Sequence, residues 1–176
     1  SYEETIEMAF YGASVIHPKT IKPIQNKKIP LIVRSFKDLN SKGTKVTNKA
    51  EMIPHIPCYI VKKNQVLVSI ASLDFSFIVE ENISEIFKLF HKYQLKVNLI
   101  QNSAISFYVC LDNNLNHFDQ LFNEMKVLYN VSFVKNVDLF TVRHFTENSL
   151  SKIYNLGTSL LSQINKNTAQ VIIQKN

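Results

Sequence analysis

Two histidines and two cysteines mark the first places in this 176-residue chain where chemistry could be done. His17 lies in FYGASVIHPKT, residues 10–20. As a general base it would need an orienting carboxylate and a reacting proton within hydrogen-bond reach. The flanking residues supply neither, so His17 reads as a helix-start or packing histidine. His144, at the end of VDLFTVRHF, reads the same way. Cys58 and Cys110 sit in apolar surroundings, far apart and without C-x-x-C or Cys/His spacing. That argues against a metal or redox pair and for buried thiols of a reducing compartment. The three glycines, Gly12, Gly43 and Gly157, are too few and too scattered to build a phosphate-cradling loop.

The elements around these residues can be read from their patterning. Ser1 as N-cap, Glu3, Glu4 and Glu7 in the first turns and apolar Ile6, Met8, Phe10 and Tyr11 predict a helix over 2–11, ended by Gly12. Pro18 suits the first position of a second helix over 18–27, stopped by Ile29-Pro30. LIVRSF (31–36) reads as a buried strand, and the polar stretch from Lys37 to Pro57 as the linker region, with only a short extension through Thr44 to Thr47.

From Cys58 onward the order becomes regular. CYIVKK (58–63) and QVLVSIAS (65–72) alternate as strands, and a loop, SLDFSFIVEEN, leads to an amphipathic helix at about 83–94. KVNLIQ (96–101) and SFYVCL (106–111) follow as paired strands, then a helix at about 115–129 bearing Leu115, Phe118, Leu121, Phe122, Met125 and Leu128, and VSFVK (131–135). The order is βαββαβ, the split ferredoxin-like arrangement. Beyond it, VDLFTVRHF (137–145), a helix from near Ser149 to about Asn165, and TAQVIIQ (168–174) give a shorter βαβ unit that borrows strand 58–63.

The net charge of +6 is uneven: residues 1–63 carry eleven Lys/Arg against five Asp/Glu, and residues 64–176 carry nine of each. The basic residues are scattered, with few aromatics among them for base stacking, so nucleic acid is not expected as a partner. A ferredoxin-like RNA-binding sheet would also show more than the Phe107 and Tyr108 of SFYVCL. No apolar run approaches the twenty residues of a membrane span, and no charged segment precedes an apolar one as in a secretory signal; a cytoplasmic protein is expected.

MAFYGASVIHPKTIKPIQNKKIPLIVRSFKDLNSKGTKV (8–46) resembles the end of the kinase domain of aspartokinases, with Tyr11, Gly12, His17 and Pro18 in that family's motif. NQVLVSIASLDF and KVNLIQNSAISFYVCLD resemble the first regulatory ACT module of the same enzymes. The resemblance implies an α+β chain: a C-terminal fragment of the amino-acid-kinase domain (1–47), a linker (48–57), ACT module 1 (65–135) and a shortened ACT-like module 2 (58–64 and 136–176). The full-length enzyme would transfer the ATP γ-phosphate to the aspartate side-chain carboxylate with magnesium, on the route to lysine, threonine and methionine. The 176 residues alone would bind no cofactor, carry no catalytic residue and be inactive, because the nucleotide- and aspartate-holding groups of the family precede Ser1.

In a βαββαβ module the loop after the first strand and the start of the second strand meet where modules pair, and helix N-terminal amides there can hold a carboxylate. That makes Asp74, Phe75, Ser76, Phe77, Val97, Asn98, Asn102 and Ser103 the candidate effector contacts, for an amino acid such as lysine or threonine. Simpler roles stand beside these: core packing for Phe75 and Phe77, a turn for Asp74, a strand start for Ser103. Lysine-inhibited relatives carry an aspartate where Asn98 stands and a glutamate where Ala104 stands. The acidic charge that would pair a lysine ammonium is therefore missing here. The expected assembly is a homodimer through ACT modules; the alternative is a dimerisation scaffold whose effector site has decayed.

Overall fold

The computed structural model describes residues 1–13, 15–48, 51–113 and 118–175. Helix α1 (Tyr2–Tyr11) starts where Ser1 Oγ accepts the Glu4 amide at 3.1 Å, and it ends at Gly12, whose φ of 116° is accessible to glycine and costly for other residues. Helix α2 (Pro18–Asn26) is capped by His17, whose Nδ1 accepts the Lys19 amide at 3.2 Å, so His17 has the helix-start role read from sequence. The expected buried strand 31–36 is confined to β1 (Leu31–Val33), none of whose residues is buried, and it pairs antiparallel with β2 (Thr44–Val46). Tyr2, Ile21 and Val46 form the buried centre of this N-terminal segment.

The remaining elements build one six-stranded antiparallel sheet in the order β4-β5-β3-β6-β8-β7. Its members are β3 (Cys58–Ala71), β4 (Val97–Asn102), β5 (Ser106–Asp112), β6 (Asn130–Arg143), β7 (Thr158–Ile164) and β8 (Thr168–Gln174). Runs read as separate strands, 58–63 with 65–72 and 131–135 with 137–145, are continuous in β3 and β6. Each of these long strands passes through one left-handed asparagine, Asn64 at φ 55° and Asn136 at φ 58°. Asparagine tolerates that conformation better than a β-branched residue does.

At these two asparagines the alternation changes phase. In β6, Val131 and Phe133 share a face before Asn136, whereas Phe140 and Val142 occupy it afterwards. The inserted residue lets one strand serve two units in succession while the same face stays under helices. The first unit is β3 (65–71), α3 (Glu80–Lys92), β4, β5, α4 (Phe118–Met125) and β6 (130–135), with strand order β4-β5-β3-β6. The second is β6 (137–143), α5 (Glu147–Tyr154), β7 and β8, with the first half of β3 as its fourth strand. Its order, β7-β8-β6-β3, repeats that of the first unit.

On the helical face, Val66, Val68, Ile70, Phe107, Val109 and Leu111 pack against Ile86, Phe90, Leu121 and Met125. Each fully buried side chain of this size contributes about 1.5–3 kcal/mol through removal from water. A smaller cluster of Phe140, Val142, Val171 and Ile173 takes Ile153 of α5. The opposite face carries an apolar row across all six strands: Leu99, Cys110, Leu67, Val137 with Leu139, Ile172 and Leu161.

Four expectations need correction. The single helix from Ser149 to Asn165 does not exist: α5 ends at Tyr154, and residues 158–164 are strand β7, hairpinned onto β8. Gly157 sets the break, because a Cβ there would lie 2.3 Å from the Gln174 carbonyl oxygen. The helix expected at 83–94 starts three residues earlier, with Asn82 Oδ1 accepting the Val79 amide at 3.0 Å. For the helix expected at 115–129, the α-helical residues are Phe118–Met125, and Leu115 lies outside the described residues. Cys110 is buried and its thiol is pushed up to about 12 by that burial, whereas Cys58 is half-buried; both are free.

Candidate functional site

The eight candidate contacts fall into two groups at opposite ends of β4. Asp74 to Phe77 form the tip of the loop after β3, tied by the Ser72 hydroxyl donating to the Ser76 carbonyl at 2.7 Å and by Asp74 Oδ1 accepting the Ser76 amide at 3.1 Å. The Ser76 side chain, and then that amide, hold the exposed Asp74 carboxyl below its ordinary value. The Ile78 amide donates to the Ala104 carbonyl at 2.9 Å, which brings the loop beside the β4–β5 turn, where Ser103 donates to Ser106 at 2.8 Å and Asn102 pairs with Phe107. Phe75 is 81% exposed, in a left-handed conformation at φ 62°, and Phe77 is 71% exposed. Neither belongs to the core, which removes the packing role considered for them. Leu73, Val79 and Ile105 add exposed apolar surface at the same end.

Val97 and Asn98 begin β4, roughly 13 Å away along the strand at about 3.3 Å per residue. The Asn98 side chain crosses to β5 and β3: its Nδ2 donates to Asp112 Oδ1 and to Gln65 Oε1, each at 2.6 Å, and its Oδ1 accepts from Lys62 Nζ at 2.7 Å. Within one chain, then, the loop tip, Asn102 and Ser103 come together, and Val97 and Asn98 do not join them.

Lys62 and Asn98 face a crevice between the sheet and the N-terminal segment. An inner cavity of about 210 Å³ is lined by Tyr11, Lys62, Lys96, Asn98, Thr141 and Gln170 among others. An outer one of about 690 Å³ adds Gly12, Ala13, His17 and Pro18. Residues 10–13 and 15–18 therefore lie against the sheet, with Gly12 so close to Lys62 that a Cβ would meet its Cε at 3.0 Å. Burial, and then the neighbouring charge of Lys96, lower the pKa of Lys62.

A second junction fixes α1 on the sheet. Arg143 Nη2 and Nε donate to Glu4 Oε2 and Oε1 at 2.6 and 3.1 Å, and Nη1 donates to Thr168 Oγ1 at 2.6 Å. The Arg143 and Glu4 side chains are 9% and 14% exposed. Burial alone would raise the Glu4 carboxyl; the bonds and charge of Arg143, with His144 Nε2 at 3.1 Å from Glu4 Oε1, outweigh it and hold the carboxyl below its ordinary value. His144 also meets His55 edge to face, with centroids 4.8 Å apart. Among the described residues no cluster of three or more His, Cys, Asp or Glu could hold a metal ion. No helix among them is long and apolar enough to cross a membrane.

No family model matches the chain. Over 112 residues, 64% of the chain, it is 34% identical to the lysine-sensitive aspartokinase 3 of Escherichia coli, of which the match covers 25%. Over 113 residues it is 28% identical to the chloroplastic aspartokinase 1 of Arabidopsis thaliana, covering 20% of that protein. The chain is a homologue of the aspartokinases. It spans a quarter or less of the length of these curated relatives. The fold of this aspartokinase homologue is that of E. coli aspartokinase III solved with lysine and aspartate, at a TM-score of 0.75 and 23% identity over 98% of the chain and 41% of that structure. It is also that of Clostridium acetobutylicum aspartate kinase, at 0.80 and 16% identity over 98% of the chain and 44% of that one.

Sequence reasoning passed over Lys62, Gln65, Lys96 and Asp112 beside Asn98, and the Glu4–Arg143–Thr168 junction. A signal existed for Arg143, since a cation inside the apolar run VDLFTVRHF requires a buried partner. Lys62 gave none, because CYIVKKNQ reads equally well as a strand end with solvated lysines.

Proposed function

We propose that this chain is the feedback-sensing region of an aspartokinase together with the closing elements of its kinase domain. The full-length enzyme would phosphorylate the aspartate side-chain carboxylate from ATP and magnesium in the cytoplasm, and the 176 residues alone would be inactive. The observation that carries the reading is the docking of α1 onto the two interlocked units through the buried Glu4–Arg143 pair, which gives a sensor mechanical access to the preceding domain.

The effector site of this reading needs two copies. Strand β4 is a sheet edge, with Ile100 at its centre 44% exposed. Two β4 strands paired antiparallel about a two-fold at Ile100 would set Asn98 of one protomer opposite Asn102 of its partner, and Val97 opposite Ser103. The two groups that lie apart in one chain would then form one pocket, closed by the exposed Phe75 and Phe77, with backbone groups for an α-amino and α-carboxylate. A ligand that binds only the paired state shifts the assembly toward it.

The test is thermal shift and light scattering with lysine, threonine and methionine. One of them is expected to raise the melting temperature and the dimer fraction together. If none does at millimolar concentration, the second reading, a dimerisation scaffold with a decayed site, takes its place. That reading is favoured by the Asn98 side chain, already engaged by Lys62, Gln65 and Asp112.

A further inference from the structure

We propose that the crevice between the N-terminal segment and the sheet is a separate binding site for a small organic dicarboxylate, held by Lys62 and Lys96. Both lysines line the inner and the outer cavity, and among the described residues neither is paired with a carboxylate. Asp112, a counter-charge acting on Lys62, has Oδ1 engaged by Asn98. Burial and then the neighbouring Lys96 charge disfavour the Lys62 ammonium, and an anion between the two lysines would stabilise it. An inner cavity of about 210 Å³ suits a molecule of amino-acid size.

The walls favour an organic anion over a bare oxyanion. Phe10, Val97 and Leu139 offer apolar contact for a short carbon chain, and Tyr11, Thr141 and Gln170 offer hydrogen-bonding groups beyond the lysines. Gln170 already donates to the Thr141 hydroxyl at 3.2 Å, which fixes the orientation of both side chains. The occupant would touch three bodies at once: α1 and its Gly12 exit, the start of β4 in the first unit, and β6 and β8 in the second. Its binding would tighten the seat of the N-terminal segment on the sheet, at a site that shares Val97 and Asn98 with the β4 edge.

The site is tested on the full 176-residue chain by calorimetry with succinate, alongside inorganic phosphate at matched ionic strength, and by amide NMR. Succinate is expected to bind and to move the Gly12, Ala13, Lys62 and Asn98 amides while leaving 73–77 in place. Lys62→Met and Lys96→Met keep the aliphatic stems and remove one charge each; each should weaken succinate about tenfold, the scale of one charge-assisted hydrogen bond. Lys96 is exposed, so Lys96→Met decides the matter should Lys62→Met fail to fold. The proposal is overturned by no succinate binding, by shifts confined to 73–77, by affinity indifferent to both substitutions, or by phosphate binding as tightly as succinate. Shifts confined to 73–77 would place succinate at the β4-edge site instead; the other outcomes leave that site untouched, because it is read out by the amino acids and by residues 73–77.

Discussion

Replacing Arg143 by Met would separate the N-terminal helix energetically from the sheet while keeping an unbranched, apolar stem in place. Arg143 donates two hydrogen bonds to Glu4 and one to Thr168, at side-chain exposures of 9% and 14% for the ion pair. Removing one partner of a buried pair costs about 3–5 kcal/mol, because the other charge is left without compensation. Glu4 keeps its contact with His144 and some solvent, so about 3 kcal/mol is expected. For a chain of this length that corresponds to a fall in melting temperature of roughly 6–12 °C. Glu4→Gln paired with Arg143→Met completes a double-mutant cycle in urea unfolding at neutral pH, with an expected coupling of about 1.5–3 kcal/mol. A coupling under about 0.5 kcal/mol would refute the claim that this junction holds α1 on the sheet. The pH dependence supplies a second check. Glu4 has a folded-state pKa below its unfolded one, so its contribution is complete above about pH 4.3 and disappears as pH falls through the folded value. Acid should therefore destabilise the native chain more steeply than Arg143→Met.

Asn64→Val places a β-branched residue at φ 55° and is expected to cost at least about 1–2 kcal/mol, with Asn64→Gly near neutral, measured by urea unfolding. Gly157→Ala drives a methyl into the Gln174 carbonyl; a loss of about 1–3 kcal/mol is expected, with the faster amide exchange concentrated in β7 and β8. Phe75→Asp, at a side chain already in solvent, should change monomer stability by no more than about 0.5 kcal/mol while reducing self-association in sedimentation. Equal dimer fractions for Phe75→Asp and the native chain would remove this loop from the interface.

Local signals explain what the sequence revealed of the fold. Ser1, Gly12 and Pro18 act within a turn of the groups they satisfy, so α1 and the start of α2 could be placed from their caps alone. The β7 segment misled because Ile153, Leu156, Leu160, Leu161 and Ile164 fall at spacings that also suit a helix; the close approach of Gly157 to Gln174, which ends α5's run, is a tertiary fact. Loop 74–77 and Ser103 could be recognised as neighbours from the order of elements. The bonding of Asn98 to Lys62, 36 positions earlier, depends on the phase change at Asn64, which alternation by itself does not reveal.

The sharing of β3 and β6 also governs the order in which the chain can mature. Among the described residues, Cys58–Lys62 finds its strand partners only in Leu139–Arg143, about eighty residues further on. At a synthesis rate of roughly 5–20 residues per second the early half-strand waits some 4–16 seconds, unpaired along both edges. During that interval Tyr59 and Val61 are open to any passing strand, and Lys62 and Lys63 beside them are the charges that discourage such pairing. The second unit cannot be cut out at a single position and remain whole: a truncation after β6 leaves it without β8, and one before Gln65 leaves it without its fourth strand, whereas the first unit is contiguous over 65–135. Moving the second module on its own would require two coordinated breaks in the gene, one on each side of the first.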